Sequence, residues 1–348
     1  MTVSDAQEIV LIVLTIVSSL ISITGSSLVL HVTRNSNDLK RSSPYHRLIA
    51  GMSIVDLIFS TSCILQMFLR PEYLNIPGAM GNFATCSFVG VFSVSGILAN
   101  AIYSLLLSGN AYLLVCARWT ETTVATWERK GHWVAAIVPL LLTIPGAAKK
   151  AINVPPLSSI CIFFVYPQEC FQNQDEIECT RGGDFYYPFA VTFTSIVLLC
   201  SIMSCVLTIK VYRIVRHTIQ RSSQYDFEDQ VLNHSDDQAP ARPPSSSSLS
   251  SNKDDKISKR SSSSGQNELK LKLDLVRSQT IRFFFAYLNS VLWPLVMIII
   301  GNLQEDVDKA YPIRVLSAFF SPSKEASTWL YFSSLRSTPG SVFDQSCR

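Results

Sequence analysis

The chain alternates between long uninterrupted apolar runs and shorter segments in which its polar residues collect. Seven runs stand out, at residues 9–33, 48–69, 87–116, 131–148, 186–209, 283–303 and 312–335. Inside hydrocarbon a helix must satisfy its own backbone hydrogen bonds, and it needs about 20 apolar residues to cross. Six of the runs have that character. The run 131–148 is the shortest and contains Pro139 and Pro145, which packed neighbours tolerate by re-satisfying the freed carbonyls. The run 312–335 differs, because it holds Arg314, Lys324, Glu325 and many serines; a six-helix chain is the alternative it leaves. The fold expected is all-α and integral to a membrane, a seven-transmembrane helix bundle.

Charge sharpens this picture. Of 348 residues, 48% are apolar and only 16% are Asp, Glu, Lys or Arg, against about 25% in soluble domains. Only Asp56, Arg314, Lys324 and Glu325 fall within the seven runs. A soluble enzyme is thereby largely excluded, as are collagen, a disulfide miniprotein and a wholly disordered chain. The cations also sort by side. Arg34, Lys40, Arg41, Arg47, Arg118, Arg129, Lys130, the thirteen from Lys210 to Arg282, Arg336 and Arg348 make 22 on one side. Arg70, Lys149, Lys150, Arg181 and Lys309 make five on the other. The excess marks the cytoplasmic side, so the N-terminus is expected outside and the C-terminus inside, which requires an odd number of spans.

The first run is too long for a cleaved signal peptide and has no basic segment ahead of it, so it is expected to serve as its own anchor. The single sequon, Asn233-His234-Ser235, falls on the expected cytoplasmic side and should carry no glycan.

The nine cysteines divide by location. Cys63, Cys116, Cys200 and Cys205 lie in or at the ends of runs, where a thiol behaves as a small apolar group. Cys347, in the tail, is a candidate for palmitoylation or a plain free thiol. Cys86, Cys161, Cys170 and Cys179 fall outside, where four cysteines allow three pairings. The pairing favoured joins Cys86 to Cys161, tying the top of the third run to the long outer loop 149–185, and lets Cys170 and Cys179 close a small ring. No CxxC or HExxH spacing occurs and the five histidines are scattered, so neither a metal site nor a cofactor is expected.

Residues 214–277 read as a cytoplasmic loop, Ser-rich and largely disordered, followed by the last two spans in 278–335 and a tail, 336–348. Eleven of the twenty residues from 245 to 264 are serine, after Pro240, Pro243 and Pro244. Such a composition buries too little to offset chain entropy. Lys259-Arg260 ahead of Ser261, Ser262 and Ser263 has the pattern of a basic-directed kinase substrate, with a solvated linker as the alternative. Residues 268–277 alternate leucine with lysine and read as a helical extension of the sixth span near anionic headgroups.

Several motifs resemble the heptahelical G-protein-coupled receptor superfamily, in particular its rhodopsin-like and protist cyclic-AMP-receptor-like members. The first run holds Gly25-Ser26-Ser27-Leu28-Val29-Leu30, similar to the family's Gly-Asn-x-Leu-Val but with Ser26 in the asparagine's place. The second places a single acid, Asp56, ahead of Leu57. Cys86 opens the third run where the family keeps its disulfide cysteine. Tyr112 to Cys116, Ala117, Arg118 and Trp119 close that run, resembling the family's Arg-Tyr ending without the preceding acid. Trp293-Pro294 is similar to the kinked sixth helix with one residue fewer between tryptophan and proline. Ala318-Phe319-Phe320-Ser321-Pro322 and Tyr331 look like the Phe-Phe-x-Pro…Tyr run of the protist members, from which Lys324, Glu325 and Thr328 depart.

What the resemblance implies is a receptor, not an enzyme, in the plasma membrane. Asp56, Ser26, Trp293, Pro294, Pro322 and Tyr331 would form the activation network, with sodium as a possible guest at Asp56; a buried aspartate merely bonded to a neighbouring helix is the alternative. Arg118 and Trp119 would contact a heterotrimeric G protein, or else anchor the helix end on the positive side. Trp293 and Pro294 would act as a toggle at a kink, or pack without moving. The implied partners are an unknown extracellular ligand, the lipid bilayer, and kinase and arrestin-like proteins at the cytoplasmic loop, with no nucleic acid. A seven-span transporter is the second reading, though no internal repeat supports it. A retinal-binding photoreceptor using Lys324 is third; its Schiff base needs a carboxylate nearby, and the third run has none. An enzyme of the membrane interior is fourth, with no nucleophile or metal constellation in its favour.

Overall fold

In a computed structural model of the protein, the residues described are 5–35, 44–72, 78–155, 160–167, 170 and 177–236. The runs 283–303 and 312–335, and with them Trp293, Pro294, Pro322, Lys324 and Tyr331, lie outside the described residues, as do Ser261, Ser262, Ser263 and Cys347. Five helices and one short hairpin follow in order: α1 (Asp5–Asn35), α2 (Pro44–Leu69), α3 (Phe83–Val115), α4 (Glu121–Ala148), β1 (Ile152–Asn153), β2 (Ile162–Phe163) and α5 (Gly183–Asp236). All five helices are long and apolar enough to cross a membrane. Their outward faces carry exposed large apolar side chains, among them Val13, Leu20, Leu141 and Leu199, as a lipid-facing surface would.

Helix α3 is the most buried of the five. Its small residues let neighbours approach closely, the usual device where lipid removes the hydrophobic drive between helices. A Cβ on Gly96 would meet Phe59 of α2, one on Gly109 would meet Trp127 of α4, and one on Gly131 of α4 would meet Leu106. Contacts between α2 and α3 step in opposite directions along the two helices: Gln66 bonds Ser93, Phe59 packs on Gly96, and Asp56 bonds Asn100. The pair is antiparallel. Between α3 and α4, Ser95 faces Thr143 and Tyr103 faces His132, so that pair is antiparallel too. Ser108 reaches both Ser204 and Thr208 of α5. Leu48, Met52, Leu98, Ile102, Leu106, Ala135 and Cys200 form the apolar core between these helices.

The turn joining α2 to α3 is closed by side-chain chemistry. Asn82 caps α3, its Oδ1 accepting from the backbone N–H of Ala84 and Thr85 at 2.9 and 3.0 Å. The Thr85 hydroxyl accepts from the Asn82 N–H and donates to the Leu69 carbonyl, the last residue of α2. That capping box satisfies donors that a helix start leaves orphaned. Gly81 is required here because a Cβ would run into the Leu69 carbonyl.

Two helices exceed their expected lengths. Helix α4 begins at Glu121, ten residues before the apolar run, after an extended Thr120, and Val124 and Trp127 of this added part pack inward. Helix α5 continues well past 209 and through 214–236, which composition had assigned to the loop. From Phe189 to Ala239 the chain has neither glycine nor proline, and Pro240 is the first breaker. With nothing to stop it, the helix propagates at one bond per residue. The chain divides into two compact units at Thr208, and the described part of the second is this run of α5 from Ile209.

Candidate functional site

Three layers of buried polar side chains lie along the helices, from the end that carries the disulfides to the end that carries Arg118. The first is the lid. Cys86 is bonded to Cys161, and Cys170 to Cys179, the pairing favoured from location. The first disulfide draws the hairpin over α3, where Cys86, Val94, Ala151, Ile152, Cys161 and Phe163 make a second apolar cluster. In register, Ile152 pairs with Phe163 and Asn153 with Ile162. A Cβ on Gly90 would strike Ile152, so glycine is what lets the hairpin sit so close to α3.

Arg181 pins the hairpin at β1. Its Nε donates to Asn153 Oδ1 at 2.7 Å, its Nη2 to Ser87 Oγ at 3.2 Å, and its Cζ lies 4.3 Å from the Phe83 ring centroid. Planar guanidinium stacking with directed hydrogen bonds is a role lysine does not fill. Gln66, fully buried on α2, couples the lid to the bundle. Its Oε1 accepts from the Cys161 N–H at 2.7 Å, and its Nε2 donates to Ser93 Oγ at 2.6 Å. Nearby at the same end, Arg70 is fully buried and its Nη1 reaches Glu8 at 3.4 Å. Burial pulls its pKa down and Glu8 opposes that pull.

The middle layer centres on Asp56, which is 4% exposed. Asn100 donates from Nδ2 to Asp56 Oδ1 at 2.6 Å. Asp56 Oδ2, Asn100 Oδ1 and Ser26 Oγ are buried and have no hydrogen-bond partner among the described residues. Ser22 on α1 and Ser60 on α2 bond at 2.9 Å. One turn further along each antiparallel helix, the same register brings Ser26 level with Asp56. Ser26 and Asp56, paired by motif, therefore share one layer. Asn100, their third member, was hidden in the apolar run of α3. Its signal was an amide inside a span, which costs free energy unless it finds a partner.

The third layer is a relay of side chains across α2, α4 and α3. Arg47 donates from Nε to Glu128 Oε1 at 2.8 Å and from Nη2 to Oε2 at 2.5 Å, a bidentate pair. Glu128 is 2% exposed, whereas Arg47 is 45% exposed. His132, one turn along α4, lies 3.2 Å from Glu128 Oε1 and 2.8 Å, through its other nitrogen, from the Tyr103 hydroxyl. A Cβ on Gly51 would meet that hydroxyl, which is why α2 carries glycine opposite it. None of these residues stood out by motif. Arg47 read as one cation among many, and Glu128 as part of a loop.

Arg118 and Trp119 lie beyond the end of α3. Arg118 is exposed, with φ 53°, the left-handed conformation that turns the chain away from the helix axis. The Cys116 N–H bonds the Tyr112 carbonyl and the Trp119 N–H bonds the Leu113 carbonyl, closing the helix end. The guanidinium is thus offered from a turn rather than from the helix itself. Among the described residues no cluster of His, Cys, Asp or Glu is arranged to hold a metal ion. No protein-family model matches the chain, and no curated protein is significantly similar to it, so the function is read from these three layers.

Proposed function

We propose that this chain is a seven-helix receptor of the plasma membrane that transmits an extracellular signal to heterotrimeric G proteins. In this reading the disulfide end faces outward, the Arg118 end faces the cytoplasm, and residues 283–303 and 312–335 supply the remaining two spans. The observation that carries it is the bonded path from lid to centre. The lid's Cys161 N–H is held by Gln66, Gln66 holds Ser93 on α3, and two turns further along α3 Asn100 holds the buried carboxylate of Asp56. A ligand that moves the lid would therefore pull on the residues flanking an intramembrane acid. Such a ligand shifts the population only as far as it prefers one arrangement over the other.

The resemblance also implies a sodium ion at Asp56. The unpartnered oxygens of Asp56, Asn100 and Ser26 are hard donors of the kind that suits a hard cation. Arg118 and Trp119 would meet the G protein, and phosphorylation at Ser261, Ser262 and Ser263 would end the signal.

The test is expression with a panel of G proteins and a nucleotide-exchange measurement, in wild type and Asp56→Asn. Exchange that depends on the chain and changes with Asp56→Asn is the expected result. No exchange with any G protein, either constitutive or under a ligand library, overturns the receptor reading in favour of a transporter built around the same carboxylate.

A further inference from the structure

A cleft of about 540 Å³ opens where α3 ends and α4 begins, lined by Trp119, Thr122, Thr123, Thr126, Trp127 and Lys130. It is shallow and open to its surroundings. We propose that this cleft binds the headgroup of an anionic glycerophospholipid, with the acyl chains lying along the outer face of α4.

Three observations converge on that occupant. The first is charge. Lys130 lines the cleft and is exposed, the one ionisable side chain in its lining. Glu128, an acid of the same segment, is buried against Arg47 and His132 and turned away from solvent. The second is the aromatic pair. Trp119 is 43% exposed, and Trp127, which rests on Gly109, also lines the cleft. Tryptophans with an apolar body and a polar N–H favour the headgroup level of a bilayer. The third is continuity. Directly below the cleft on α4, Trp133, Val134, Ile137, Leu141 and Ile144 are all exposed. That face is lipid-facing like those of the other helices, so the acyl chains of a phospholipid whose headgroup sits in the cleft have an apolar surface directly beside it. The threonine hydroxyls supply donors: Thr122 and Thr123 meet Thr120 at 3.0 and 2.9 Å and can turn to a phosphate.

This inference uses the proposed orientation only to say which leaflet holds the lipid. The full-length chain, purified in detergent, is titrated with phosphatidylserine or phosphatidylcholine of identical acyl chains, and bound lipid is counted by native mass spectrometry. Wild type should retain phosphatidylserine at about fivefold lower concentration, the factor expected of one basic residue near an anionic surface. Lys130→Gln should erase that preference. Arg34→Gln, an exposed cation on α1 at the same end, should keep it. Equal retention of the two lipids by wild type, or an unchanged preference in Lys130→Gln, overturns the proposal. So does an equal loss in Arg34→Gln, which would indicate diffuse surface charge. Displacement by soluble glycerophosphoserine at matched concentration would assign the cleft to a free phosphate ester instead. None of these readouts uses nucleotide exchange, so failure here and failure of the receptor reading are separately visible.

Discussion

At Asp56 the cost of an ionisable group in a span, at least ~2.5 kcal/mol near the centre, is offset only by Asn100 among the described residues. The two partners are therefore unequal under mutation. Asp56→Asn keeps a hydrogen-bonding oxygen and removes the carboxylate, so thermal stability in detergent should hold or rise. Asn100→Ala leaves the acid without that bond and should destabilise by about 1–3 kcal/mol. If sodium occupies the layer, raising NaCl at constant ionic strength should raise the wild-type Tm and leave Asp56→Asn unmoved. Arg118 separates backbone from side chain in the same way. Its left-handed φ costs a non-glycine residue about 1 kcal/mol, so Arg118→Gly should raise Tm while G-protein exchange falls. Loss of both together would mean that the side chain holds the turn.

At the scale of elements, the Arg47–Glu128 pair joins α2 to α4 and has a built-in asymmetry. Removing the half-exposed Arg47 strands a buried carboxylate, whereas removing Glu128 leaves a cation that water can reach. Arg47→Ala should cost about 2–3 kcal/mol, less than a wholly buried pair because solvent already screens Arg47. Glu128→Gln should cost distinctly less, and the double variant should recover part of the Arg47→Ala loss in a chemical-denaturation cycle. Additive losses would show that the pair contributes nothing as a pair. Helix boundaries illustrate what the sequence could and could not reveal. Apolar runs located α1, α2, α3 and α5, because hydrocarbon demands about twenty residues whatever their partners. The first ten residues of α4 were invisible to that criterion, being polar and charged, and so was α5 from Lys210 to Asp236. The extension of α5 was legible in a different signal, the absence of helix breakers, but the start of α4 was not, since no glycine or proline separates it from α3 either.

Across the whole molecule, the disulfides enclose loops of very different size. Cys86 and Cys161 are separated by 75 residues, Cys170 and Cys179 by nine. Loop-closure entropy alone assigns about 4.5 and about 2.6 kcal/mol, and membrane insertion already restrains the longer loop, so the order is the measurable quantity. Paired Cys86→Ser and Cys161→Ser changes should lower Tm more than Cys170→Ser with Cys179→Ser; the reverse order would mean that the small ring carries the lid. The orientation can be checked at Asn233. Expression in glycosylating cells should give a chain whose mobility is unchanged by endoglycosidase, and a shift would invert the proposed topology. Cysteine pairing was legible because it follows from where the cysteines fall along the chain. The three polar layers were not, since their members lie on different helices and only folding brings Asn100 to Asp56 or Glu128 to Arg47.

Gln66 has a consequence for how this sequence can drift. Its amide uses both ends, accepting from the lid's Cys161 N–H and donating to Ser93, with no exposed surface. Glutamate lacks the donor, asparagine is one carbon short, and methionine has neither function. Every other side chain forfeits at least one of the two bonds. In a saturation library read out by surface delivery of folded chains, position 66 should therefore tolerate fewer alternatives than the apolar positions around it, where Leu, Ile, Val and Met interchange at small cost.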